Sequence, residues 1–426
     1  MQSPTEEIVA SVANTLTASA SAGVARVAEL LSVDVRGPAV LLESLVAHAS
    51  RLEGGELLRT RALDERTATA VIRCPDGEIV LVSLMTQPSD GAVVGLGVRP
   101  LAGARPWAQQ RAFVGAAWGT RAGEQQRIRR RGCRRLDPDD PVEETTLFRA
   151  GSIAKLVTAA GVLALAEAGE LRLDDPLWTW LPQCFHGPTG EIGPSIRQVL
   201  GHRGGFVDGP GHGAGHDGAR LVRASTMARP GPVRYCNTGY EVLGVLLEHS
   251  TGVPAVDWLA SHVLAPLGLA RSALGPAEGE DQDEDLRATA ALGYGIDEGF
   301  VYAASTSCDI LPTAAGLSTT IGDLLSLGHW LAVPSDAGCA SGPRLPARIA
   351  EQLRRAEWAM LAPSGAAGVL SWGGSWPGFM AGLAILPGTG TAGMLVNTDG
   401  VDAPSKAARL ARGLIQAPEA GAWGAG

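Results

Sequence analysis

The chain has 426 residues, of which 45% are hydrophobic and 19% charged. That is a globular composition, with apolar material for two or three domains, and it argues against disorder. A formal charge of −9 argues against nucleic acid as a partner, and no apolar stretch is continuous enough to span a bilayer.

The first residues, Met1 to Glu7, lack the positive charge and apolar core of a secretory signal, so the expected location is cytoplasmic. Apolar residues recur at helical spacing over 22–31 and 40–52. Three strand-like runs follow over 67–74, 78–85 and 92–98, the first two joined by Pro75-Asp76-Gly77, a tight-turn signal. These elements predict a small α+β domain over residues 1–101, helices packed on a curved antiparallel sheet of the cystatin or ketosteroid-isomerase kind. Ala102 to Pro106 reads as a linker into a larger domain spanning 106–415, and the Ala- and Gly-rich residues 416–426 read as a disordered tail.

The larger domain opens on a strand over 111–118 and a basic run at Arg127, Arg129, Arg130, Arg131, Arg134 and Arg135. The acidic Asp137-Pro138-Asp139-Asp140 comes next, so the pair reads as a solvated hairpin. Residues 152–168 are apolar nearly all round, the pattern of a central helix. The six cysteines are scattered without a CxxC pair or metal-ligand spacing, which predicts reduced thiols, no metal centre and no disulfide framework.

Of 35 basic residues only Lys155 and Lys406 are lysines, and Lys155 closes the tetrad Ser152-Ile153-Ala154-Lys155. Arginine cannot act as a base, so a lysine kept in such a background points to a group that must lose its proton. Three residues apart on a helix, Ser152 and Lys155 share one face. The positive end of the helix dipole disfavours the ammonium form and aims the Ser152 amide at a developing oxyanion. Such a site suits acyl transfer through a serine nucleophile.

Tyr235-Cys236-Asn237 precedes a helical run over 240–248. A phenol beside a cationic lysine loses its proton more easily, which makes Tyr235 a candidate base and acid, with Asn237 holding a substrate carbonyl or Lys155. Cys236 has no histidine partner in the pattern and is not read as a nucleophile. In Ser371-Trp372-Gly373-Gly374-Ser375, the glycines let a substrate lie close against a strand.

The ordered set Thr-Leu-Phe-Arg-x-Gly-Ser-x-x-Lys, Leu-x-His-x-Gly-Gly (200–205), Pro-Gly-x-x-x-Tyr-x-Asn-x-Gly-Tyr, Pro-Leu-Gly-Leu (266–269), Ala-Gly-Leu-Ser-Thr-Thr-x-x-Asp-Leu (315–324) and Gly-Gly-x-x-Pro-Gly-Phe resembles the serine β-lactamase-like family. The resemblance runs over 113–415. It is best to the branch of class C β-lactamases, D-aminopeptidases and family VIII carboxylesterases. It implies an α+β fold of the β-lactamase/transpeptidase type, an antiparallel sheet beside a helical lobe, with Ser152 in the cleft between them. It further implies Ser152 as nucleophile and Lys155 with Tyr235 as the proton-transfer pair. Asn237, Trp372, Gly373, Gly374 and Ser375 become substrate-binding residues, the Ser375 amide being the second oxyanion donor. No cofactor is implied.

Where β-lactamases and D,D-peptidases begin the third motif with Lys or His, this chain holds Trp372. That resembles the Trp-Gly-Gly version of family VIII esterases and shifts the expectation toward an uncharged substrate. The loop of residues 209–218 carries His212 and His216, with Asp208 or Asp217 as the sole third metal ligand at hand, and reads as a lid or a substrate-contacting loop. The expected function is a serine hydrolase or acyltransferase acting on a small-molecule ester, thioester or amide, with natural-product tailoring as one setting. The alternatives are a β-lactamase or D,D-peptidase, and a binding protein that has kept the fold and lost the chemistry. Oligomeric state is not readable.

Overall fold

A computed structural model describes residues 4–30, 38–62, 67–87, 92–101, 105–106, 113–136, 138–181, 193–208, 226–227, 231–275, 288–297, 300–304, 312–338, 343–358, 361–364 and 368–416. The chain divides into two compact units, residues 1–111 with 295–304, and residues 112–294 with 305–426.

In the first unit, helices α1 (Pro4–Ala18), α2 (Ala20–Leu30) and α3 (Pro38–Leu52) precede strands β1 (Glu56–Ala62), β2 (Thr67–Arg73), β3 (Ile79–Thr86) and β4 (Val93–Leu101). The strands form an antiparallel meander in sequence order. The 75–77 turn is made as its residues dictate, Gly77 at φ +86° and Asp76 Oδ1 accepting from the Glu78 amide at 2.9 Å. Strand alternation divides the sheet's apolar residues between two faces. Ala68, Ala70, Ile72, Val80, Val82 and Leu84 pack with Val9, Val12, Leu16, Leu45 and Leu52 of the helices. Val71, Ile79 and Leu81 instead join Leu101 and Tyr302. Tyr302 belongs to a later part of the chain, whose Phe300 and Val301 pair antiparallel with Pro106 and Arg105. Helix α1 and strand β1 are additions to the elements expected from the sequence.

The second unit is built on a seven-stranded antiparallel sheet. Its strands are β5 (Gly115–Ala122), β6 (Gln125–Leu136), β7 (Asp139–Pro141), β10 (Leu370–Trp376), β11 (Phe379–Leu386) and β12 (Gly390–Val396), with the short strand Ala362–Pro363. The order is 362–363, β10, β11, β12, β5, β6, β7. A three-stranded antiparallel sheet joins Ala273–Leu274, β9 (Leu317–Thr319) and β8 (Phe148–Gly151). The arginine-rich β6 pairs antiparallel with β5 and forms the expected hairpin with the acidic β7, with Arg130 paired to Glu144 at 2.9 Å and Arg134 to Asp140 at 2.8 Å.

On β11, Leu383 and Ile385 face a cluster that includes Leu324 and Leu327 of α7 (Ile321–Ala332), while Ala384 and Leu386 face Ala407, Ala408 and Ala411 of α8 (Ala403–Gln416). One sheet is thus covered on both faces. Helix α4 (Ala154–Glu167) is buried without a break from Ala154 to Leu163, as its all-round apolar pattern requires. Beside it lie α5 (Asn237–Thr251) and the short helix α6 (Pro312–Ala315). This α+β arrangement is the β-lactamase/transpeptidase-like fold expected from the motifs.

Candidate active site

Ser152 lies in the turn between β8 and α4, and the regular helix starts at Ala154. Two observations fix that turn. Gly151 has φ +52°, and a Cβ there would stand 2.3 Å from Ser375 O. A Cβ on Gly374 would stand 1.8 Å from Ala150 O and 3.0 Å from Ser152 N. Only glycine at both positions lets β10 pass this close, with the Ser152 and Ser375 amides flanking the contact. Trp372 adds a brace, its indole Nε1 donating to Ser152 O at 2.8 Å. The indole was expected to meet substrate; its one donor is used on the backbone that carries the serine.

Lys155 is fully buried. Its Nζ lies 3.2 Å from Ser152 Oγ and donates to Asn237 Oδ1 at 2.7 Å and Ala314 O at 2.8 Å. Burial pulls its pKa down from 10.5 to about 7, against the opposing charges of Glu241 and Asp208. Sequence reasoning reached the right direction through the helix dipole; desolvation is the larger cause.

The Tyr235 hydroxyl meets Ser152 Oγ at 2.5 Å, and Lys155 Nζ sits 4.8 Å above the phenol ring, against its π face rather than its oxygen. The pKa of Tyr235 is raised, which corrects the expectation of an acidified phenol. Desolvation outweighs the hydrogen bond with Ser152, and the charges of Asp208 and Cys236 add to the rise. The residue as a whole stays 47% exposed.

Asn237 is oriented from both ends. Its Oδ1 accepts from Lys155 and its Nδ2 donates to Asp208 at 3.2 Å, which leaves it a holder of Lys155. Asp208 also accepts from the backbone amides of Asn237 and Thr238 at 2.9 and 3.0 Å and from Thr238 Oγ1 at 3.1 Å. It therefore caps α5 from outside, a task the helix's own N-cap, Cys236, leaves undone. The Cys236 thiol also donates to Asp208, and its pKa is pushed up to about 11, mainly by burial, so it is no nucleophile at neutral pH.

His202 adopts φ +56°, uncommon for a non-glycine residue. Its ring lies between those of Tyr235 and Tyr240, at 4.8 and 5.1 Å. Burial lowers its pKa to about 4, with Lys155 adding to the effect, so the imidazole is neutral and serves as a packing plate behind Tyr235.

The structure thus brings together Ser152, Lys155, Tyr235, Asn237, Trp372, Gly374 and Ser375. Gly373 faces away, against Pro404. Sequence reasoning missed Asp208 as a support and gave His202 no task. His212, His216 and Asp217 lie outside the described residues, as does the tail beyond residue 416. Among the described residues Cys74 and Cys236 are free thiols, and no helix is long and apolar enough to cross a membrane.

Penicillin-binding protein 4 of Amycolatopsis lactamdurans is 27% identical over 291 residues, covering 61% of this chain and 74% of that protein. Esterase EstB of Burkholderia gladioli is 31% identical over 184 residues, 38% of this chain and 47% of the esterase. A class C β-lactamase structure from Rhodobacter sphaeroides superposes with a TM-score of 0.56 at 20% identity, covering 72% of this chain and 95% of that one. Its likeness bears on the fold alone. The family model for β-lactamase matches residues 98–416, three quarters of the chain, and the protein belongs to that family of serine hydrolases.

Proposed function

We propose that the protein is a serine esterase, amidase or acyltransferase working through an acyl-Ser152 intermediate. The observation that carries this reading is the buried amine of Lys155, 3.2 Å from Ser152 Oγ and titrating at about 7. A neutral amine there takes the Ser152 proton as Oγ attacks the substrate carbonyl carbon. The charge that develops on the carbonyl oxygen is received by the Ser152 and Ser375 amides. Tyr235, protonated because its pKa is raised, gives its proton to the leaving alkoxide, thiolate or amine and regains one from Lys155. Water, an alcohol or an amine then attacks the acyl-serine, and the same groups run in reverse.

Trp372 supports an uncharged acyl substrate, since it presents an apolar ring 6.2 Å from that of Tyr235 where a substrate carboxylate would want a cation. EstB, named as an esterase, favours the same substrate class. The test is intact-mass measurement after incubation with p-nitrophenyl esters of graded chain length, with and without amine acceptors, and with nitrocefin in parallel. The wild-type chain should gain one acyl mass and Ser152→Ala none. An adduct on the variant, or none on the wild type with any of these reagents, removes Ser152 from the mechanism. Nitrocefin turnover with no ester turnover would favour a β-lactamase instead.

A further inference from the structure

The acyl-transfer steps above use Ser152, Lys155, Tyr235 and the Ser375 amide and give Glu241 nothing to do. Yet among the described residues Lys155 and Glu241 are the two Lys, Arg, Asp or Glu side chains that are buried, at 0% and 9% exposure. One is a cation and the other an anion when ionised, and both hydrogen-bond the backbone of Ala314. The Ala314 amide donates to Glu241 Oε1 at 2.7 Å, and the carbonyl of the same residue accepts from Lys155 Nζ at 2.8 Å. Thr313 also donates to the Glu241 carboxylate.

A carboxylate that merely capped the short helix α6 would do so from the surface at far lower desolvation cost. Placed in the interior, it is tolerable mainly when an opposite charge is close by. Both groups have pKa values moved to about 7, each chiefly by burial and each drawn back by the charge of the other, as for a pair that shares one charge balance.

We infer that Glu241 is the internal counter-charge of Lys155, fixing its amine through the backbone of Ala314 and setting the pH at which it loses its proton. When Ser152 Oγ passes its proton to Nζ, the new ammonium is compensated by the Glu241 carboxylate. The proton stays on Nζ until it returns through Tyr235, and none moves to Glu241. The other groups that bear on the amine are Ser152 from the β8–α4 turn, and Tyr235, Cys236, Asn237 and Tyr240 from α5 and its approach. Asp208 and His202 act from the preceding segment, and the Ala314 carbonyl from α6. Of these, Asp208 is the second negative charge, and His202 is neutral above its lowered pKa.

Glu241 is a positioning residue, and the inference rests on the proposed role of Lys155. Its test needs no substrate. Two lysines in the chain mean two signals from protein labelled with ¹³C at lysine Cε, Lys155 being followed and Lys406 serving as reference. The wild-type Lys155 signal should titrate near 7. In Glu241→Gln, which keeps the acceptor and removes the charge, the midpoint should fall by on the order of one pH unit. In Glu241→Asp, whose carboxylate is withdrawn by one methylene, it should fall by less, so this variant carries the comparison if the glutamine variant does not fold. Lys406 should titrate alike in all three.

Midpoints that coincide, or that rise in the variants, overturn the inference. A wild-type Ser152 that takes no fluorophosphonate label defeats the acyl-serine reading separately, and the counter-charge then stands or falls on the midpoints.

Discussion

At the scale of single residues the site is governed by burial more than by proximity. A helix dipole amounts to about half a charge at its end, whereas removing an ammonium from water altogether acts at full strength, and Lys155 moves accordingly. This sets the pH dependence. Lys155 is active as the free amine, so kcat/KM for a non-ionising ester should climb tenfold per pH unit below about 7 and level off above it. Because the Tyr235 phenol is raised rather than lowered, the plateau should hold past pH 9. Lys155→Arg keeps the charge without the titration, and should lose about two to four orders of magnitude at every pH. A pH–rate profile of both proteins checks the expectation; an acid limb that survives in the arginine variant would assign it to another group.

The serine-lysine pair could be read from the sequence because residues three apart across the turn that enters a helix bring side chains together without tertiary information. Asp208 could not, since it meets Asn237 and Thr238 across about thirty residues. Nor could Glu241, whose partner amide is 73 positions away.

At the scale of elements, the site depends on how near β10 comes to the turn before α4. Gly374→Ala would place a methyl group 1.8 Å from Ala150 O, inside any contact two atoms can keep. Backbone must then move, at a stability cost of about 1–3 kcal/mol. The displacement pulls the Ser375 amide off the position proposed for the oxyanion, and kcat should drop about a hundredfold. Calorimetry and ester turnover on the same sample read both effects; a variant with lowered stability and unchanged kcat would detach Ser375 from the oxyanion site.

Elements with strong periodicity were legible, α4 most of all. The strand β1 was not, because Glu56, Arg59 and Arg61 are exposed and Leu57 and Leu58 only half-buried, so this edge strand carries no clean alternation. Helix α1 buries Val9, Val12, Ala13 and Leu16 at helical spacing, but the Ser, Thr and Asn residues between them dilute the pattern.

At the scale of the whole molecule, the family match starts at Val98, so α1 to β3 lie outside it. The first unit is nevertheless completed by residues 295–304 of the chain, through Tyr302 among Val71, Ile79, Leu81 and Leu101. Tyr302→Ala should cost this unit about 3 kcal/mol and expose the amides of β2 and β3 to faster hydrogen exchange, which mass spectrometry of peptic fragments would register. Unchanged exchange there would mean that Tyr302 rests on the sheet without supporting it.

No one-dimensional reading finds such a contact, because it joins positions about two hundred residues apart. The order of synthesis gives it a further meaning. Strands β1 to β4 leave the ribosome early, while Tyr302 follows roughly ten to forty seconds later at translation rates of about 5–20 residues per second. In that interval Val71, Ile79, Leu81 and Leu101 lack the side chain that covers them. These strands therefore wait for a segment made about two hundred residues later before their unit is whole.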